Sequence, residues 1–190
     1  MYPILRFAKE LLIWKSAQPL GVFDPHVSTH RCWPWDLDPW IELNNGRTLT
    51  LYDLGRIPMA VRTGVIGALR ENGWGITVAG NSVRYRRRIR GFDRFTMISR
   101  NIGWDARFLY MEQSMWRRGE CCNHMLLRAA ITSKQGMVPP AQVMAAAGLD
   151  VESPPLPDWV QAWIAADALR PWPPVIDGLA GTDPKDDLPV

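Results

Sequence analysis

The sequence predicts an α+β fold: an antiparallel sheet wrapped around one long central helix, with extra N- and C-terminal helices. Three observations predict it. Apolar residues recur at Leu49, Leu51, Leu54, Ile57, Ala60, Val61, Val65 and Leu69, close to the 3.6-residue period of a helix. After Gly73 come four segments of strand length or longer, 76–90, 94–104, 107–117 and 121–132. Their joints are short and carry glycine (Gly91-Phe92-Asp93, Gly103-Trp104-Asp105, Arg118-Gly119-Glu120), as in an antiparallel meander. One helix followed by a run of such strands is the layout of a helix packed on a sheet.

Each element has its own reason. Residues 3–17 alternate apolar and basic positions at helical spacing, with Pro3 as starter and Pro19 as stop, so they predict a short amphipathic helix. Val27, Thr29, Arg31 and Trp33 alternate along a strand over 26–35, closed by Pro34. Residues 36–45 are turn-rich. Pro58 and Gly64 predict a kink or break in the long helix, because proline removes an amide and glycine loosens the backbone. Residues 139–148 and 157–169 predict two small helices after Pro139-Pro140 and Pro157-Asp158, and 182–190 a frayed acidic tail. The expected division is an N-terminal helix and linker (1–25), the main domain (26–135) and a Pro-rich helical extension (136–190).

Composition narrows the function. The chain has 190 residues, 47% hydrophobic and 22% charged, with a net charge of +3, which suits a globular domain with a real core. The apolar run Leu11-Leu12-Ile13-Trp14 is far shorter than the ~20 residues of a membrane helix. No membrane span and no secretory signal are expected. Three cysteines, two of them adjacent, make no disulfide framework, and a cytoplasmic setting is the expectation. The charge is uneven: 20 bases face 11 acids in residues 1–149, while eight acids face two bases in 150–190. Eighteen of the 22 bases are arginine, six of them between Arg84 and Arg94, so a phosphorylated ligand or an acidic partner is expected rather than nucleic acid.

The chemistry concentrates in Trp33-Pro34-Trp35-Asp36-Leu37-Asp38-Pro39-Trp40-Ile41-Glu42-Leu43-Asn44-Asn45-Gly46-Arg47, three carboxylates just ahead of the long helix. Asn44 or Asn45 is a good N-cap. The free amides of a first turn and the helix dipole attract developing negative charge. A carboxylate facing such amides suits acyl transfer, where one group attacks a carbonyl or activates water while the amides hold the oxyanion. Plain capping and turn formation is the competing reading of the same residues.

This stretch, with Leu49 and Arg56, resembles the signature of the 4-hydroxybenzoyl-CoA thioesterase family of hotdog-fold proteins, roughly Asp-x-Asp, four residues including a His, then Asn-Asn. The likeness runs on through Val83-Arg84-Tyr85-Arg86-Arg87, Phe92-Asp93 and Gly103-Trp104-Asp105 and covers about residues 26–135. The resemblance implies a hotdog domain that hydrolyses an acyl-CoA or acyl-carrier-protein thioester at a subunit interface of a homodimer or homotetramer. It needs no cofactor beyond the coenzyme A of its substrate. It further implies Asp38 as nucleophile or general base and a backbone amide at or beside Asn45 as oxyanion donor, with Asp36 in support. The chain departs from the family at Glu42, where a His is common, and at Thr48, where an aromatic often follows the Asn pair. A second acid near Asp38 raises one of the two pKa values, which favours a base role, transfers that role to Glu42, or spoils the site. The alternative function is therefore a catalytically degenerate hotdog that binds acyl ligands or a protein partner; a dehydratase ranks last, since no His stands near Asp38.

Arg84, Arg86, Arg88 and Arg90 would share one face of a strand, either a solvated surface or a groove for coenzyme phosphates. Arg87 falls on the other register, in a site or an interface. Trp33, Trp35 and Trp40 flank the predicted site and either line an acyl pocket or bury the helix start. His26, His30 and His124 lack metal-ligand spacing, so no metal is expected.

Overall fold

The computed structural model describes residues 2–174. They fall into two compact units divided between Pro155 and Leu156.

The first unit begins with α1 (Ile4–Trp14), followed by strand β1 (His26–Arg31) and a 3-10 turn at Pro34–Asp36. The long helix is α2 (Asn45–Arg62), and it stops at Gly64, whose φ of +80° begins a new helix, α3 (Val65–Glu71). The predicted break thus falls at the glycine, where a left-handed φ is free of the Cβ penalty, while Pro58 stays inside α2. Strands β2 (Gly75–Tyr85), β3 (Arg94–Trp104), β4 (Phe108–Arg117) and β5 (Glu120–Ser133) follow, then a short β6 (Gly136–Val138) and α4 (Pro140–Ala146). In the second unit α5 spans Asp158–Ala168. The predicted acidic tail lies outside the described residues.

The sheet is antiparallel throughout, in the order β1-β3-β4-β5-β2, with β6 added to the end of β5. Its inner face meets α2 through Leu51, Leu54 and Met59 against Phe95, Met97, Met115, Met125 and Leu127, all buried. The helix lies close on the strands at Gly55, where a Cβ would stand 2.5 Å from Ser99 Oγ and 2.6 Å from Met97 Sδ. A buried polar set joins the layers: Tyr52 donates to Asn123 Oδ1 and to the Gln113 carbonyl, and Gln113 Nε2 donates to the Tyr52 carbonyl (2.9 Å) and to Ser99 Oγ (2.7 Å). These bonds fix the helix register, with Gln113 Oε1 alone in this set lacking a partner among the described residues.

One strand ends earlier than its alternation suggests. β2 stops at Tyr85, and the amides of Arg86 and Arg87 both donate to the Cys122 carbonyl (2.8 and 3.0 Å). Two residues sharing one acceptor break the two-residue period. Arg84, Arg86, Arg88 and Arg90 therefore do not share one strand face, because only Arg84 belongs to the strand.

Candidate active site at the start of the long helix

Asn44 is the N-cap: its side chain accepts from Arg47 N at 3.1 Å and its carbonyl from Thr48 N at 2.8 Å. The amides of Asn45 and Gly46 precede that first bond and have no acceptor among the described residues. They stand at the positive end of an 18-residue helix, the arrangement that holds a developing oxyanion.

A cleft of about 180 Å³ opens there, lined by Glu42, Leu43, Asn45, Thr48, Tyr85, Arg86, Arg87, Arg88, Ile89 and Asn123. Five sequence-predicted residues meet in it: Asn45, Glu42, Arg86, Arg87 and Arg88. Glu42 is paired, its Oε2 lying 2.8 Å from Arg88 Nε, and Arg87 Nε lies 3.7 Å from Glu120 Oε1. Tyr85 and Thr48 close one wall, and the Tyr85 hydroxyl also reaches the Asn45 carbonyl at 3.5 Å.

Asp38, Arg84 and Trp40 are not among the lining residues. Asp38 heads a tight reversal over residues 38–42. Its Oδ1 accepts from Trp40 N (2.9 Å) and Glu42 N (3.3 Å), and its own amide donates to the Glu42 carbonyl (2.8 Å). Oδ2 has no partner among the described residues. Trp40, at the tip of this reversal, is exposed, and so is Trp35.

Asp36 does something the sequence did not reveal. It is fully buried and accepts from Arg6 Nη1 (2.6 Å), Arg47 Nε (3.1 Å) and Nη2 (2.7 Å), and the Trp33 amide (3.0 Å). One carboxylate thus ties α1 to the first turn of α2. Thr48, Tyr85 and Asn123 were also missed as wall residues. Thr48 and Tyr85 stand in the stretches that carry the family likeness but were given no part in the site. Asn123 belongs to no motif and is brought opposite Tyr85 by strand pairing.

A second hollow, about 410 Å³, lies further along α2 and α3, against β2, β4 and β5. Ile57, Ala60, Val65, Leu69, Met111 and Leu127 make it mainly apolar. Asp53 and Arg56 pair at 2.5 Å on its wall, where burial holds the Asp53 carboxyl above its usual range. Among the described residues no cluster of three or more His, Cys, Asp or Glu could hold a metal, and no helix is long and apolar enough to cross a membrane.

The sheet-and-helix architecture is that of the hotdog fold. Among solved structures it is similar to YbaW, a probable thioesterase from Escherichia coli (TM-score 0.59, 14% identity, 64% of this chain and 95% of that one). It is also similar to a thioesterase from Thermus thermophilus crystallised with coenzyme A and zinc (TM-score 0.53, 24% identity, 68% and 98%). Residues 32–164 match the family model of the thioesterase-like superfamily, and the chain belongs to that superfamily. A curated relative is the protein THEM6 of Xenopus laevis, 31% identical over 134 residues; the match spans 69% of this chain but only 63% of the relative's own length.

Proposed function

We propose that the protein hydrolyses an acyl-CoA or acyl-carrier-protein thioester to the free acid and thiol. One observation carries the reading: the amides of Asn45 and Gly46 have no acceptor among the described residues at the start of the long helix, and Asn45 lines a cleft together with Arg86, Arg87 and Arg88. Superfamily membership supports the reaction class. The thioester carbonyl oxygen takes up charge against those amides. Either Asp38 removes a proton from the attacking water, whose oxygen bonds to the carbonyl carbon as the carbon–sulfur bond breaks, or Asp38 attacks that carbon itself and the mixed anhydride so formed is opened by water to the free acid and the regenerated carboxylate. In both cases the thiolate leaves and is protonated. Glu42, held by Arg88, is the other base within the same reversal. The arginines offer forked donors to the coenzyme phosphates, with Arg84 and Trp40 flanking, and the 410 Å³ hollow takes the acyl portion. The site lies at the end of β2, an edge strand exposed along most of its length, where a second subunit would cover open backbone groups.

A second reading is binding without turnover. It is favoured by Asp38 Oδ1, which is engaged by two turn amides.

The test is thiol release from a panel of acyl-CoA substrates of varied chain length, with Asp38→Asn purified alongside and the mass measured by light scattering. The expected result is turnover by a dimer or tetramer of the 21.6 kDa chain, falling by ~10² or more in the variant. A parent inert on the whole panel but melting higher with acyl-CoA supports the binding reading; neither turnover nor binding sinks both.

A further inference from the structure

We propose that α1 and the adjoining edge of β1 dock on an anionic bilayer, the apolar face of α1 entering the headgroup–acyl boundary and a basic cleft beside it taking a lipid phosphate. This goes beyond the thioesterase reading and does not depend on it.

The first observation is that α1 presents much of its aliphatic surface to solvent. Leu5 is 87% exposed, Leu12 72%, Ile4 66% and Ile13 49%, while the side chain it buries most deeply is Glu10. Leu5, Lys9 and Leu12 follow one another at four and three residues, so a cation sits within the apolar stripe. The helix is not loosely held: Arg6 fastens it to Asp36 (2.6 Å) and to the Arg31 carbonyl (3.0 Å). The exposed face is therefore preformed, with the mixture of aliphatic and basic groups that lies flat in a membrane interface.

The second observation is independent. A cleft of about 400 Å³ adjoins α1, lined by Lys9, Arg31, Arg94, Thr29 and Trp33 among others. Arg31 and Arg94 are direct cross-strand partners, a like-charge pairing that costs stability unless an anion relieves it. Neither has a carboxylate partner among the described residues. Of the nearby acids, Asp36 is held by Arg6 and Arg47 and Asp93 by Arg117 at 2.7 Å. Buried Glu10 lines the cleft itself and is bonded to Trp14 and paired with Lys9, which leaves Arg31 and Arg94 as the cations a phosphate would meet. Trp33, in the cleft wall, stacks on exposed Trp35 at 5.4 Å and meets exposed Phe92 edge-on at 6.1 Å. Amphipathic aromatics beside cations are what a headgroup layer favours.

Charge selects the bilayer over a second copy of the chain. A two-fold contact through this surface would set Lys9, Arg31 and Arg94 against their own equivalents, whereas an anionic surface neutralises them. The edge suited to subunit pairing, β2, is at the far end of the sheet from β1.

The test is cosedimentation of the full chain with extruded vesicles, either pure phosphatidylcholine or phosphatidylcholine with about 30% phosphatidylglycerol, at low and high salt. Wild type should bind the anionic vesicles about tenfold or more better, and lose that preference in high salt. Leu5→Glu with Leu12→Glu should abolish binding at an unchanged melting temperature, because both side chains already face solvent. Arg31→Gln with Arg94→Gln should weaken binding and remove the preference for anionic lipid. Wild type that sediments with neither vesicle, or variants that bind as well as wild type, would overturn the proposal. So would a drop from dimer to monomer in the leucine variant without vesicle binding, which makes the face a contact between copies. A melting temperature raised by inorganic phosphate in wild type but not in Arg31→Gln with Arg94→Gln, with no binding to vesicles, would make the cleft a site for a free anion and equally overturn it.

Discussion

Two aspartates separated by a single residue have different duties. Asp36 is buried between Arg6 and Arg47, and Asp38 is half-buried at a turn with one oxygen open. Removing the carboxylate of Asp36 takes away a fully buried acceptor that Arg6 and Arg47 share, and breaking a buried pair from one side costs about 3–5 kcal/mol. Asp36→Ala is therefore expected to lose on the order of that amount in urea unfolding, independent of any effect on turnover. Asp38→Asn keeps the oxygen that accepts from Trp40 and Glu42, so its folding should be nearly unchanged while hydrolysis falls. The sequence showed the carboxylates and the N-cap because capping is local, read within three or four residues. It did not show the role of Asp36, whose partners stand 30 and 11 residues away with no period linking them.

At the scale of elements, α2 and its seat on the sheet were legible from the apolar period, and four of the five long strands from their alternation and their glycine joints; β1 was read four residues too long. What was illegible depends on neighbours. β2 ends at Tyr85 because two amides converge on Cys122, and β6 forms only by pairing with the end of β5. The closeness of helix and sheet appears in one glycine. Gly→Ala inside a helix ordinarily stabilises by up to about 1 kcal/mol. At Gly55 the added Cβ would press on Ser99 Oγ, which Gln113 holds in place, so Gly55→Ala is expected to destabilise by about 1–3 kcal/mol instead. Gly67 in α3 has nothing within 4 Å of that position, and Gly67→Ala should show the ordinary stabilisation of up to about 1 kcal/mol. Opposite signs in thermal unfolding check the packing; the same sign at both positions would contradict it.

For the whole molecule, the attachment of α1 couples stability to pH. Trp14 meets His26 edge-on at 4.6 Å, and Glu10 Oε1 lies 3.9 Å from His30 Nδ1, too far for a hydrogen bond. Burial, with Arg62 beside it, pushes His26 from 6.5 down to about 4. Burial, with Arg6, Lys9 and His26 adding to it, pushes His30 down to about 3. Both rings are therefore neutral in the fold, and His30 Nε2 is bonded to Ser28 Oγ at 2.8 Å. Above pH 6.5 the folded and unfolded chains carry both rings uncharged, and these groups add no pH dependence. Below 6.5 the unfolded chain binds protons that the folded chain refuses, so stability falls as pH drops toward the folded values, by on the order of 1 kcal/mol per pH unit for each ring. Glu112, whose pKa is lowered by its bond to His124 and by Arg100, adds a loss in the same direction at lower pH. Urea midpoints measured from about pH 7.5 down to about 5 should decline steadily once below about 6.5, and His26→Gln with His30→Gln should flatten that decline. A flat wild-type profile would mean that the two rings take up protons in the folded state, and that α1 is not seated on neutral histidines.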